Sequence, residues 1–260
     1  MDERAVGRAM RRFWSLGSDV FALDGAKAVR NVAAPGHPLG TFLCELRTDD
    51  VPAVLAEASR RSGEPFRRVL VDPDTPPAAE AHLALHDWQL DVQLHLVLPA
   101  AVAIEAAALA VRPVVDDAGW AEVHRLFRLD HLEEDARLGR PARPEPATTA
   151  AVALRRSLRP GVTYLLAERS GEVAGCIAAW PGEGGIGLIE DVFVHPRHRR
   201  AGVATDLLRH AVTHAQARGA GPVVIGAEVG DTPKHLYARF GFRPVAVARS
   251  YELTMDRGTA

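Results

Sequence analysis

One segment, Ile186 to Val212, narrows the fold more than any other part of this chain; it reads IGLIEDVFVHPRHRRAGVATDLLRHAV. An apolar strand runs through one Pro-containing turn into a small-residue loop, Arg199 to Ala204, and a helical pattern begins at Val203. Small residues let the backbone approach a ligand closely, while the unpaired N–H groups and positive dipole end of the following helix face the same point. That is an anion site in outline, and a pyrophosphate fits it. Arg197, Arg199, Arg200, His195 and His198 add positive charge locally, in a chain whose formal net charge is −2. No global positive field recruits nucleic acid or an anionic membrane, so any anion site is local. The alternative reading is a solvated basic turn that caps a helix.

Around this segment, strand and helix patterns alternate. The first half gives a helix from Ala5 to Leu16, an unassigned Gly- and Pro-broken stretch from Gly17 to Gly40, a strand Thr41 to Arg47 and a helix from the Thr48-Asp49-Asp50 cap to Arg61. A strand Arg67 to Val71, a helix Pro77 to His86 and a strand Asp91 to Leu98 follow. Arg112-Pro113 reads as a join. Beyond it come a short strand to Val115, a helix from Gly119 to about Glu134, a loop forced by Pro141, Pro144 and Pro146, and a helix Thr148 to Leu158. Three strands follow, Val162 to Glu168, Val173 to Trp180 and Ile186 to Val194, then a helix Val203 to Arg218, a strand Pro222 to Ala227, a helix Thr232 to Phe240 and a strand pair Pro244 to Met255. Asp-Thr-Pro occurs at Asp74 to Pro76 and at Asp231 to Pro233, each time between an apolar strand and a helix. With matching element order around both copies, the expectation is two related α/β domains, 1–111 and 112–260, although ordinary turn chemistry explains three residues equally well.

The segment from Ile186 to Val212 resembles the acetyl-coenzyme A loop of the GCN5-related N-acetyltransferases, the GNAT superfamily, which reads Arg/Gln-x-x-Gly-x-Gly/Ala after a Val-x-Pro strand end; Arg199, Gly202 and Ala204 match it. A dinucleotide site is the rival, but there is no Gly-x-Gly-x-x-Gly and no βαβ unit at the loop. The resemblance covers roughly Val111 to Met255. It implies tandem GNAT-like α/β (α+β) domains, each a mixed, mostly antiparallel sheet flanked by helices, with the catalytic domain at 112–260 and a degenerate, non-catalytic one at 1–111. In the C-terminal domain a splayed strand pair would hold acetyl-CoA. Backbone groups of Val192, Phe193 and Val194 would bind the pantetheine and acetyl ends, and Arg199, Arg200, Ala201, Gly202, Val203, Ala204 and Thr205 the pyrophosphate. Tyr237, in His235-Leu236-Tyr237-Ala238-Arg239-Phe240-Gly241-Phe242, is similar to the family tyrosine that reaches the coenzyme sulfur, and is the expected general acid. Glu190 stands where polyamine-type members place a strand glutamate, and is the expected base; strict alternation puts it and Asp191 on opposite faces. Gly230 departs from the family's usual Asn.

The implied activity is direct acetyl transfer from acetyl-CoA to an amine in a ternary complex, with a small molecule expected as acceptor. A catalytically silent acyl-CoA-binding or regulatory module is the other reading. The first half has acidic caps, Asp49-Asp50, in place of a coenzyme loop. Cys176 reads as a buried strand thiol, and the eleven histidines show no metal-ligand spacing with the two cysteines, so no metal is expected. Asp130 to Asp135 reads either as a solvated helix end or as a wall of the acceptor cleft that favours a cationic amine. Charged residues fill the start of the chain, and Leu94 to Val111 is broken by Pro99 and Glu105; the expected setting is cytoplasmic, with no membrane or nucleic-acid partner, as a monomer or homodimer.

Overall fold

The chain leaves its first structural unit and later returns to it. Among the described residues, Met1–His95 cluster with residues 245–253, and Leu96–Pro244 form a second unit. The computed structural model describes residues 1–35 and 37–253.

In the first unit, α1 (Glu3–Trp14) starts where the Asp2 carboxylate accepts the Ala5 N–H at 2.7 Å. Its apolar residues recur at three and four, so Val6, Ala9, Met10 and Phe13 are buried. The unassigned stretch that follows contains a hairpin, β1 (Asp19–Leu23) and β2 (Ala26–Arg30), closed by Asp24-Gly25. β3 (Thr41–Cys44) pairs antiparallel with β2 and, through α2 (Val51–Ser62), parallel with β4 (Arg68–Val71). α3 (Pro77–Leu85) and β5 (Trp88–Leu98) follow.

The second unit runs β6 (Val111–Pro113), α4 (Asp117–Arg137), α5 (Glu145–Ser157), β7 (Thr163–Arg169), β8 (Glu172–Trp180), β9 (Gly187–Val194), α6 (Val203–Gln216), β10 (Val223–Glu228) and α7 (Pro233–Phe240). β6, β7, β8 and β9 pair antiparallel in that order, and β10 lies parallel to β9. Buried small residues on β8 leave room for α6, whose Val203, Leu207, Leu208, Ala211, Val212 and Ala215 form one apolar stripe. Gly175 allows the closest approach: a Cβ there would stand 2.5 Å from the Phe193 carbonyl and 3.1 Å from Leu207 Cδ1. α5 starts earlier than expected, because Pro144 is its N-cap and Pro146 falls in its first turn, where a missing N–H costs no hydrogen bond.

The final segment differs most from expectation. Instead of a strand pair within 112–260 it is one strand, β11 (Arg243–Leu253); residues 254 and 255 of the expected pair lie outside the described residues. β11 pairs antiparallel with β4, with Arg249 opposite Val71 and Tyr251 opposite Val69. Tyr251 is buried with Val69, Leu83 and Phe66 in the first unit's core. Burial of this apolar face, rather than closeness in sequence, decides where the strand belongs, so the units are not divided by a single cut after residue 111. The two Asp-Thr-Pro turns also differ in geometry: Pro76 is the N-cap of α3, whereas Pro233 is the first residue of α7 after Thr232.

Candidate functional site

The site begins with a fault in a strand ladder. Across β8 and β9, Cys176 faces Phe193 and Ala178 faces Glu190, so Asp191 and Val192 oppose Ile177 alone. Asp191 takes φ 54°, and this bulge turns the second half of β9. β10 pairs with β9 only from Gly187–Val223 to Ile189–Ile225, after which the ladder ends. Val192 to Val194 are left with one edge unpaired by β10.

The bulge rests on a buried polar network. Asp191 accepts from Arg155 Nε at 3.2 Å and Nη2 at 3.0 Å, and from the Tyr164 hydroxyl. Arg155 is 7% exposed, and its guanidinium lies 5.0 Å from the centre of the Phe127 ring. The strand alternation expected for Glu190 and Asp191 is therefore interrupted by the extra residue, and Asp191 is held by Arg155 and Tyr164. Cys176 is fully buried beneath it, and burial pushes its thiol well up, so it stays neutral.

Where the strands part, a cleft of about 890 Å³ opens. Val192, Phe193 and Val194 form one side; Arg199, Arg200, Gly202, Val203, Ala204 and Thr205 its mouth; Tyr237 of α7 and the acidic face of α4 the remaining walls. No side chain caps α6, and Gly202 precedes it at φ 83° with no atom within 4 Å of where its Cβ would be, so the helix start is open toward the cleft. Arg200 also takes positive φ, 61°, and Gly202 and Arg200 together turn the loop backbone toward the helix start. Arg199 is held differently: Nε donates to the Val194 carbonyl at 3.0 Å, and Nη2 donates to Glu133 of α4. Its guanidinium thus ties the loop to β9 and α4.

Tyr237 is 5% exposed, and burial, with Glu190 and Asp231 nearby, raises its hydroxyl pKa. The group stays protonated across the neutral range and offers an O–H to the cleft. On α4, Asp130, Glu133, Glu134 and Arg137 stand at helical spacings of three and four, so one face carries them all to the cleft. Asp130 is solvent-exposed at the cleft, yet the protein packed around it, then Glu134, Asp191 and Glu133, pushes its carboxyl up to about 6. Asp135 is turned away and bound by Arg143.

Of the residues expected from sequence, all but two line this cleft. Ala201 and Glu190 do not, though Glu190 lies within electrostatic reach of Tyr237. The Asp130 wall was open as one of two readings, and its spacing was the usable signal. The Arg155–Asp191–Tyr164 network had no sequence signal, because its members come from three elements. Among the described residues no group of three or more His, Cys, Asp or Glu could hold a metal ion, and no helix is long and apolar enough to cross a membrane.

A sequence profile of the acetyltransferase (GNAT) family matches residues 120–242. A GCN5-related N-acetyltransferase from Kribbella flavida has a similar structure, at 17% identity over 100% of this chain and 97% of that one, TM-score 0.65. A functionally unknown conserved protein from Staphylococcus epidermidis ATCC 12228 aligns at 12% identity over 90% of this chain and 93% of its own, TM-score 0.63. A tandem GNAT protein from the clavulanic acid biosynthesis pathway aligns at 17% identity over 88% and 78%, TM-score 0.53. At such identities the likeness is one of fold, and the tandem protein matches the two-unit arrangement. No curated relative matches the sequence.

Proposed function

Residues 120–242 are an acetyltransferase domain of the GNAT family, and from that premise we propose that the cleft binds acetyl-CoA and transfers its acetyl group directly to an amine in a ternary complex. The observation that carries this reading is the parting of β9 from β10 beyond Ile189 and Ile225, with the uncapped start of α6 at its mouth. An extended, amide-bearing chain completes the free strand edge, and an anion meets the helix start.

The residues present suit that ligand. Open space at Gly202 lets phosphate oxygens approach the N–H groups of Val203, Ala204 and Thr205, with Arg200 as the nearby cation. Arg199 shapes the loop through Val194 and Glu133. Acetyl-CoA supplies an activated thioester. Against it, the β9 edge at Val192 to Val194 orients the acyl end through backbone groups, and a strand N–H stabilises charge on the carbonyl oxygen. Tyr237 holds a proton for the departing sulfur. Two carboxylates are candidates for the proton an amine must lose: Glu190, beside Tyr237, and Asp130, on the cleft wall. The first unit, with its acidic Asp49-Asp50 turn, serves as a degenerate, non-catalytic GNAT-like domain.

Acetyl-CoA should raise the melting temperature, by about 2.7 kcal/mol of stabilisation at a hundredfold excess over Kd. Gly202→Val should remove that shift while the protein stays folded. Thiol release across a panel of small amines then separates an enzyme from a silent acyl-CoA-binding module, which would show the shift without turnover.

A further inference from the structure

The reading of the cleft as an acyl-transfer site leaves one carboxylate without a task. Three of the four charged residues that α4 turns to the cleft are engaged. Glu133 is bound by Arg199, Glu134 by Arg143, and Arg137 by Glu228 at 3.6 Å and Asp231 at 3.5 Å. Asp130 has no ion pair or hydrogen bond among the described residues.

The groups facing Asp130 favour a positive visitor. Glu133 and Glu134 share its helix, and Asp191 faces it from β9. Of the cations nearby, Arg143 from the α4–α5 connection is held by Asp135 and Glu134 and Arg155 by Asp191, while Arg200 and Arg239 also line the cleft. Neighbouring His131 is hydrogen-bonded to Thr148 at 2.8 Å, and burial lowers it to about 4, so it is neutral; Cys176 of β8, which feels the Asp130 charge, is a neutral thiol. Each neighbouring carboxylate is thus matched by an arginine, and Asp130 is left as the unpaired carboxylate in the cleft that holds Tyr237 and the free β9 edge.

We propose that Asp130 is the catalytic base and the anchor for the acceptor's ammonium group, so that the acceptor is a cationic primary amine. This rests on the acyl-transfer reading above. One ammonium N–H bond breaks, its proton passing to Asp130 and its electron pair staying on nitrogen. That pair forms the C–N bond, and the thioester C–S bond breaks with its pair on sulfur. The sulfur takes the Tyr237 proton, and a second proton from nitrogen restores the Tyr237 hydroxyl. Asp130 returns its proton to water through the open cleft. A carboxylate titrating near 6 is ionised at neutral pH yet basic enough to share the transfer. Glu190 then acts from outside the cleft surface, keeping Tyr237 protonated.

The test uses 1,4-diaminobutane, with 1,4-butanediol as its uncharged control, on the full chain without coenzyme at pH 8. The diamine should stabilise the protein and the diol should not, and a carbon-detected NMR titration should show the Asp130 pKa falling when the diamine binds. Asp130→Asn should weaken diamine binding at least tenfold while leaving the acetyl-CoA melting shift unchanged, and Glu190→Gln should keep diamine binding. In turnover, the acidic limb of kcat/KM near pH 6 should vanish in Asp130→Asn and survive in Glu190→Gln. Equal response to diamine and diol, undiminished diamine binding in Asp130→Asn, or a surviving acidic limb in that variant overturns the proposal. Loss of the acetyl-CoA shift in the unmutated protein instead defeats the acyl-transfer reading on which it stands.

Discussion

Replacing Asp191 with Ala tests whether the β9 bulge is held from beneath by charge. The substitution removes the carboxylate that accepts two of the Arg155 bonds, at 3.2 and 3.0 Å, together with the Tyr164 bond. Arg155, 7% exposed, cannot turn out to water without leaving Phe127 and the core. Removing one partner of a buried ion pair of this kind costs about 3–5 kcal/mol. For a unit of this size that corresponds to roughly 6–20 °C in Tm. Tyr164→Phe removes only one charge-assisted hydrogen bond and should cost about 1.5–3 kcal/mol. Asp191→Asn combined with Arg155→Met removes both charges and keeps a residue type that tolerates φ 54°, so it should be less damaging than Asp191→Ala alone. Urea unfolding followed by circular dichroism and tryptophan fluorescence measures all three. A loss under about 1 kcal/mol for Asp191→Ala, or a double variant worse than the single one, would refute the reasoning.

Tyr237→Phe keeps the ring and removes the O–H, so the acetyl-CoA melting shift should persist while kcat falls by ~10²-fold; unchanged turnover would remove its acid role. Two glycines should separate by mechanism in the same melting assay. Gly175→Ala drives a Cβ to 2.5 Å from the Phe193 carbonyl and should cost about 1–3 kcal/mol, whereas Gly202→Ala meets no atom within 4 Å, costs only about 1 kcal/mol of backbone strain at φ 83°, and should weaken the acetyl-CoA shift. Asp130→Asn should alter stability with a definite sign. The folded pKa, about 6, lies above the ordinary aspartate value of 3.8, so the stability from protonated Asp130 is complete below the lower value and lost as pH rises through the upper one. The Tm difference, variant minus unmutated, should be near zero at acid pH and climb to a small positive plateau above the folded pKa; a flat difference would contradict the crowding of this carboxyl.

What could be read from the sequence was what local chemistry decides. The α6 stripe, the small-residue loop before it and the α4 spacing all follow from side-chain periodicity, and each stands where its pattern put it. The β1–β2 hairpin was missed although Asp24-Gly25 is a strong two-residue turn signal, because the strands beside it are short and interrupted by charge. The Asp191 bulge left no local trace: an aspartate at positive φ is held there by Arg155 and Tyr164 from distant elements, and alternation alone describes an unbroken strand. Sequence alone places β11 with its neighbours, because nothing in Arg243–Leu253 names β4 as its partner; that choice belongs to the burial of Tyr251.

The return of β11 to the first unit makes the half synthesised first depend on a strand synthesised last. Leu96–Pro244 is synthesised before the strand that completes the first unit's sheet is finished. Leu253 follows His95 by roughly 160 residues, which at ~5–20 residues per second is a wait of about 8–32 s. During that interval the half translated first lacks the antiparallel partner of β4, and an unpaired edge invites other chains. The half translated second draws β6 to β10 from one continuous stretch. Shortening the chain at its C-terminus would thus fall on the half that begins at its N-terminus.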